Sequence, residues 1–205
     1  MIVVDVETTG SNPYKHSIVS IGAVEFENTD NQFYEECRIF DGAEIDTDAM
    51  QVNGFSYDDI TDPTKKSLEQ IITDFLNWSS GFANKTLIAH NAGFDSSFLK
   101  ASMDRYNIYW IFGFRTIDLH TIAYIDLLKR KEEIPLIYGT SALSLNKILE
   151  IVGLPKEPDP HNALNGAKYE TEAVYRLVYG ISGLDEFKNY PIPIDLAKVK
   201  QTMLF

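Results

Sequence analysis

The stretch MIVVDVETTG constrains this chain more than any other. Its apolar part is short and dominated by β-branched residues, which reads as a buried strand rather than a helix. Along a strand, residues two apart point to the same side. Asp5 and Glu7 therefore project together from the C-terminal end of the first strand. Two adjacent carboxylates repel unless a cation lies between them. A hard, oxygen-binding ion such as Mg²⁺ is the natural partner. The plainer reading is a strand end that reaches solvent carrying two acids.

The rest of the chain extends that strand into a fold. SNPYKH is a turn, SIVSIGAVEF a second strand, TDNQ a turn and FYEECRIF a third strand, giving an antiparallel meander. DTDAMQVNGFSYDDI reads as irregular, with room for one short helix. SLEQIITDFLNWSS places Leu68, Ile71, Ile72, Phe75 and Leu76 at helical spacing behind a capping Ser67. KTLIAH is another buried strand. Helices follow at NAGFDSSFLKASMDRY, TIDLHTIAYIDLLKR, SALSLNKILEIVG and HNALNGAKYETEAVYRLVYG, with Pro158 and Pro160 stiffening the loop before the last. Strands first and strand–helix alternation afterwards imply an α/β fold, with a mixed sheet flanked by helices. The division expected is a domain over residues 1–182 and a C-terminal tail over 183–205, where YPIPIDLAKVKQTMLF is interrupted by proline.

Charge and composition bound the function. A net charge of −12 argues against a protein that coats duplex nucleic acid electrostatically. It leaves room for a nucleic-acid enzyme whose local positive charge comes from bound cations. The single cysteine, Cys37, excludes an intrachain disulfide and a cysteine-based metal site. No run of about 18 apolar residues marks a membrane span, and MIVV is short for a leader. The expectation is a cytoplasmic protein with no membrane partner.

Two further residues join the acid pair. Asp95, in LIAHNAGFDSSFL, opens a helix after a buried strand; its ordinary role would be a first-turn acid favoured by the helix dipole. His161 follows EPDP at the mouth of the last helix, where a capping or solvent-facing histidine is the bland reading. Taken together, DVETTG, IVSIGAVEF, VNGFSYDDI, IAHNAGFDSSFL, TIDLHTIA, LSLNKILEIVGLP and HNALNGAKYETEAVYRL resemble the motifs of the DEDDh 3′–5′ exonucleases, in the family's order and over residues 1–178. That family has the ribonuclease H-like fold: a mixed central sheet, antiparallel β1-β2-β3 plus parallel strands. The resemblance is to the proofreading epsilon subunit of bacterial replicative DNA polymerase. Asn53 stands where the family often has His.

The chain departs from the family at one position. The third block runs His, four residues, then Asp; counted from His161, that place holds Gly166. A glycine inside a helix costs about 1 kcal/mol relative to alanine, and no turn requires it there. Three explanations stand: an inactivating substitution, a natural variant of low activity, or replacement of the missing acid by Asn165, Glu170 or Asp159. Glu170 lies one turn on and on the same face. The expectation favours an altered site, with reduced activity, over a rescued one.

The resemblance implies hydrolysis of DNA from its 3′ end to nucleoside monophosphates, with two ions of Mg²⁺ or Mn²⁺ per site. Asp5, Glu7 and Asp95 would hold the metals, one of them weakened by Gly166. His161 would be the general base. The backbone at Thr8 and Thr9 would receive the terminal sugar, and Asn91 and Phe94 would line the strand's path. Phe98 reads as core packing before base contact. The partner expected is a single-stranded or frayed 3′ DNA end, with a DNA polymerase subunit as a further candidate. Gln201, Leu204 and Phe205 in QTMLF resemble the Q-x-x-L-F peptide that grips the bacterial sliding clamp. Such a tether raises local concentration without a basic surface. The alternatives are an RNA-trimming exoribonuclease of the ribonuclease T or oligoribonuclease kind, and a disabled nuclease-fold module held on the clamp.

Overall fold

A computed structural model describes residues 1–197 of the chain. Three strands open it: β1 (Ile2–Thr8), β2 (Ile18–Glu25) and β3 (Gln32–Glu36). Two short helices, α1 (Thr47–Asn53) and α2 (Tyr57–Thr61), occupy the stretch expected to be largely irregular. Each is held by its N-cap, Asp46 and Ser56, rather than by length. Helix α3 (Leu68–Ser79) starts at Ser67, whose side chain and that of Gln70 cap one another's backbone. Then come β4 (Leu87–Ala89), α4 (Ala92–Arg105), β5 (Ile117–Asp118) and α5 (Leu119–Arg130). An exposed hairpin, β6 (Leu136–Ile137) and β7 (Thr140–Ser141), precedes α6 (Leu145–Ile151), α7 (Ala163–Tyr179), a 3₁₀ turn at Asp185–Phe187 and α8 (Ile194–Ala197). Among the described residues no helix is long and apolar enough to cross a membrane.

The main sheet has the order β3-β2-β1-β4-β5. β1 lies at its centre, antiparallel to β2 and parallel to β4. Both of its faces are covered, so its apolar residues form a run rather than an alternation. Ile2, Val4 and Val6 enter a core completed by Phe33, Ile71, Phe75, Phe98 and Leu99. Val3 joins Ile88, Leu119, Ala123, Ile148 and Leu177 in a second core on the other face. By the same alternation Asp5 and Glu7 fall on the second face, beneath α7.

Helix α7 approaches this face closely because Gly22 lets it. Gly22 pairs with Asp5 across β1 and β2. A Cβ at 22 would stand 2.1 Å from the carbonyl carbon of Ala163 and the nitrogen of Leu164. Any side chain there would lift the first turn of α7 off the sheet. Asn162 caps that turn, its side-chain oxygen accepting from Leu164 and Asn165 N–H at 3.1 and 3.2 Å.

The segment after α7 packs on the second core. Leu184, Phe187 and Leu196 are buried in the second core. Arg176 and Glu172, both 0% exposed, form an ion pair at 2.7 Å on α7. Arg176 donates to the carbonyls of Val152 (2.9 Å), Phe187 (3.0 Å) and Tyr190 (3.1 Å). Glu172 accepts from the N–H groups of Gly183 (2.8 Å) and Leu184 (3.0 Å). A buried charge pair saturated by backbone groups ties this segment down, where its prolines suggested looseness. Gln201, Leu204 and Phe205 lie outside the described residues.

Candidate active site

Three elements bring carboxylates to one place. β1 delivers Asp5 and Glu7 at its C-terminal end. Asp95 comes from the first turn of α4; it is 3% exposed, and its Oδ1 accepts from the Val6 N–H at 3.2 Å, which fixes it to β1 between the two acids. Asn91 starts α4 in the left-handed conformation, φ 62°, turning the chain sharply from β4 into the helix. α7 supplies Glu170, also 3% exposed. A cavity of about 270 Å³ is lined by Asp5, Glu7, Glu157 and Glu170, with His90, Ser144, Leu145, Asn146 and His161. Among the described residues no lysine or arginine lines it.

The acids burden one another. Burial, followed by Glu170, Asp95 and Glu7, raises the Asp5 carboxyl well above the usual range. Burial pushes Glu7 up to about 7, with His161 opposing and Glu157 adding. Burial lifts Asp95 to about 8 against the N–H groups that it accepts from. Burial and Asp95 raise Glu170, and burial raises Glu157. Oε2 of Glu170 and Oε1 of Glu157 are enclosed and without a hydrogen-bond partner. Four carboxylates, two of them with an orphaned oxygen, fit a hard divalent cation, Mg²⁺ or Mn²⁺. Among the described residues no three or more His, Cys, Asp or Glu side chains are grouped closely enough to hold an ion as they stand.

His161 sits at the cavity mouth with a third of its side chain exposed. Its Nδ1 is 3.9 Å from Glu157 Oε2 and its Nε2 is 3.8 Å from Asp159 Oδ1. Its own N–H donates to the carbonyl of Val52 at 3.1 Å. His161 also lines a neighbouring cavity of about 310 Å³ with Tyr34, Asn53, Phe55 and Lys65. It therefore stands between the acids and a second, partly aromatic recess.

The residues expected to touch substrate fare unevenly. Thr8 and Thr9 line neither cavity. Thr9 is fully enclosed: its N–H donates to Ser17, its hydroxyl to Glu44, and its carbonyl accepts from Asp46. These bonds hold the turn after Glu7. Asn91 is exposed at the start of α4. Phe94 packs on Phe98 with ring centroids 4.8 Å apart, and Phe98 is core, as expected. Asn53 is buried and donates to the Thr8 carbonyl at 3.0 Å, so it positions the end of β1. Glu157 and His90 escaped the sequence reading. The Glu157-to-His161 spacing was the available signal, but a loop gives such spacing no fixed face.

Comparison with known proteins identifies the family. The RNase_T family model, described as Exonuclease, matches residues 2–173. The PolC-type DNA polymerase III of Thermotoga petrophila is 29% identical over 97% of this chain, which spans only 14% of that protein. The DNA polymerase III epsilon subunit of Buchnera aphidicola (subsp. Schizaphis graminum) is 37% identical over 48% of this chain and 43% of its own length. In fold, the chain resembles the nuclease domain of 3′hExo, a DEDDh family member bound to rAMP. The TM-score is 0.66 at 16% identity, over 94% of each chain.

Proposed function

The chain belongs to the RNase T family of exonucleases, and we propose that it hydrolyses DNA from the 3′ end to nucleoside monophosphates in a replication-linked, proofreading role. The observation that supports this reading is that Asp5 and Glu7 share a cavity with His161, while Asp95 of α4 is hydrogen-bonded to β1 behind them and acts electrostatically on both. Asp5, Glu7 and Asp95 would hold two ions of Mg²⁺ or Mn²⁺, which supply a polarised water and neutralise charge on the phosphate.

The chain's own residues do the rest. His161, a third exposed at the cavity mouth, takes the proton from the attacking water. Glu157, nearly 4 Å from its ring, steadies the imidazolium that results. Asn53 and the turn built by Thr8 and Thr9 hold the end of β1 in place. Tyr34 and Phe55 line the recess beyond His161, which suits the terminal nucleoside. Asn91 and Phe94 stand at the start of α4, along the path of the strand. A chain with net charge −12 gains little from nonspecific attraction to DNA. A grip on the sliding clamp through Gln201, Leu204 and Phe205 would supply the missing local concentration, and removal of 201–205 should abolish clamp binding.

The second reading is an RNA-trimming enzyme, favoured by the likeness to a nuclease domain bound to rAMP. Matched 5′-labelled single strands of DNA and RNA, incubated with Mn²⁺, separate the two. Faster shortening of DNA from its 3′ end is expected. Preference for RNA would overturn the DNA assignment and leave the nuclease assignment standing.

A further inference from the structure

We propose that Glu170 is a metal ligand of this site, the acid of α7 that faces Asp5 in place of any side chain at 166; this rests on the nuclease reading above. The geometry begins at Gly166. A Cβ there would lie 2.0 Å from Asp5 Oδ2 and 2.9 Å from its carboxyl carbon. The bare backbone of α7 is thus the wall against which the Asp5 carboxylate rests. No acid can project from 166 without displacing the one that β1 supplies. The next position on that face of the helix is four residues on, and it holds Glu170.

Glu170 has the marks of a ligand waiting for a cation. It is 3% exposed, lines the cavity with Asp5 and Glu7, and its Oε2 is enclosed with no hydrogen-bond partner. The ion-paired acid on the same helix gives a contrast. Glu172 is equally buried, but its two oxygens are taken by Arg176 and by the N–H groups of Gly183 and Leu184. Glu170 has only the His90 backbone N–H facing its carboxylate, and the enclosed Oε2 left unpaired is costly to the fold. Its position among other acids, with no Lys or Arg of the described residues lining the cavity, leaves it either to hold a proton or to meet a divalent cation, and the cation is the partner that the neighbouring carboxylates share. Glutamate also has the extra methylene that a site one turn farther along requires. The expectation that Gly166 leaves the site short of an acid therefore gives way to one in which the acid has moved along the helix.

The test is calorimetric titration of the full chain with Mn²⁺ at pH 8, beside thermal melting in EDTA. Glu170→Gln keeps the volume and removes the charge. It is expected to weaken Mn²⁺ binding at least about tenfold while melting at or above the wild-type temperature in EDTA. Wild-type Mn²⁺ affinity in Glu170→Gln would overturn the proposal. So would a variant that fails to fold without metal, since Glu170 would then serve the fold itself. Asp5→Asn separates this proposal from the reading beneath it. If Asp5→Asn loses Mn²⁺ and Glu170→Gln does not, the Glu170 role fails and the nuclease site stands. If neither loses it, both fail.

Discussion

Gly166 of α7 lies directly over Asp5 of β1, so close that a methyl group at 166 would overlap the Asp5 carboxylate oxygen. The glycine that weakens the helix is the one that lets the carboxylate stand. Gly166→Ala should leave stability little changed, because about 1 kcal/mol of helix propensity offsets the contact and Asp5 can turn aside. Mn²⁺ affinity should fall at least about tenfold as Asp5 moves. Gly166→Asp should bring no gain in nucleotide release; a rise in rate would show that position 166 lacks an acid that the site needs.

The acid cluster sets how the metal-free protein responds to pH. Asp95 ionises near 3.8 when unfolded and near 8 when folded, and Glu7 moves from 4.5 to about 7, in both cases chiefly through burial. Between these values the folded state holds more protons than the unfolded one. Stability must then fall as pH rises, from its full value below 3.8 to its lowest above about 8. Melting in EDTA across this range should show a steady decline. Melting that improves with pH would contradict the buried cluster.

Metal binding should release protons. At pH 7 Asp95 is largely protonated in the metal-free protein, and a ligating carboxylate must give its proton up. The enthalpy of Mn²⁺ binding should therefore vary with the ionisation enthalpy of the buffer, corresponding to about one proton or more released per chain. An enthalpy independent of buffer would remove this account.

His161→Gln should lower the rate about 10²- to 10⁴-fold while leaving Mn²⁺ affinity in place. That split identifies a base acting on water. A parallel loss of metal would make His161 a ligand instead.

The Arg176–Glu172 pair is a prediction about the fold rather than the site. Arg176→Met leaves Glu172 buried without its counter-charge and should cost about 3–5 kcal/mol. The segment from Gly183 to Leu196 should loosen first, which urea denaturation and limited proteolysis would show. An unchanged midpoint would mean that backbone donors alone satisfy Glu172.

Much of this was legible in the letters. The period of two put Asp5 and Glu7 on one face of a buried strand, and the Ser67 cap fixed the start of α3, because both signals are local. The ordered motifs pointed to Asp95, which accepts from the Val6 N–H of β1, and to His161, which lines the cavity with Asp5 and Glu7. What the sequence hid was long-range. Nothing local marks Arg176 and Glu172, because the groups that close around them come from positions as distant as 152 and 190. Thr9 looked available until Ser17, Glu44 and Asp46 were seen to occupy it. Glu157 sits in a loop, where no period assigns a face. Gly166 looked like a loss because only the neighbouring strand shows what its missing side chain makes room for.

The central claim is that acids from β1, α4 and α7 share divalent ions, and anomalous diffraction from crystals soaked in Mn²⁺ tests it most directly. The account predicts anomalous peaks bounded by carboxylate oxygens of Asp5, Glu7, Asp95 and Glu170. An empty cavity at saturating Mn²⁺, or peaks held by other residues, would contradict it.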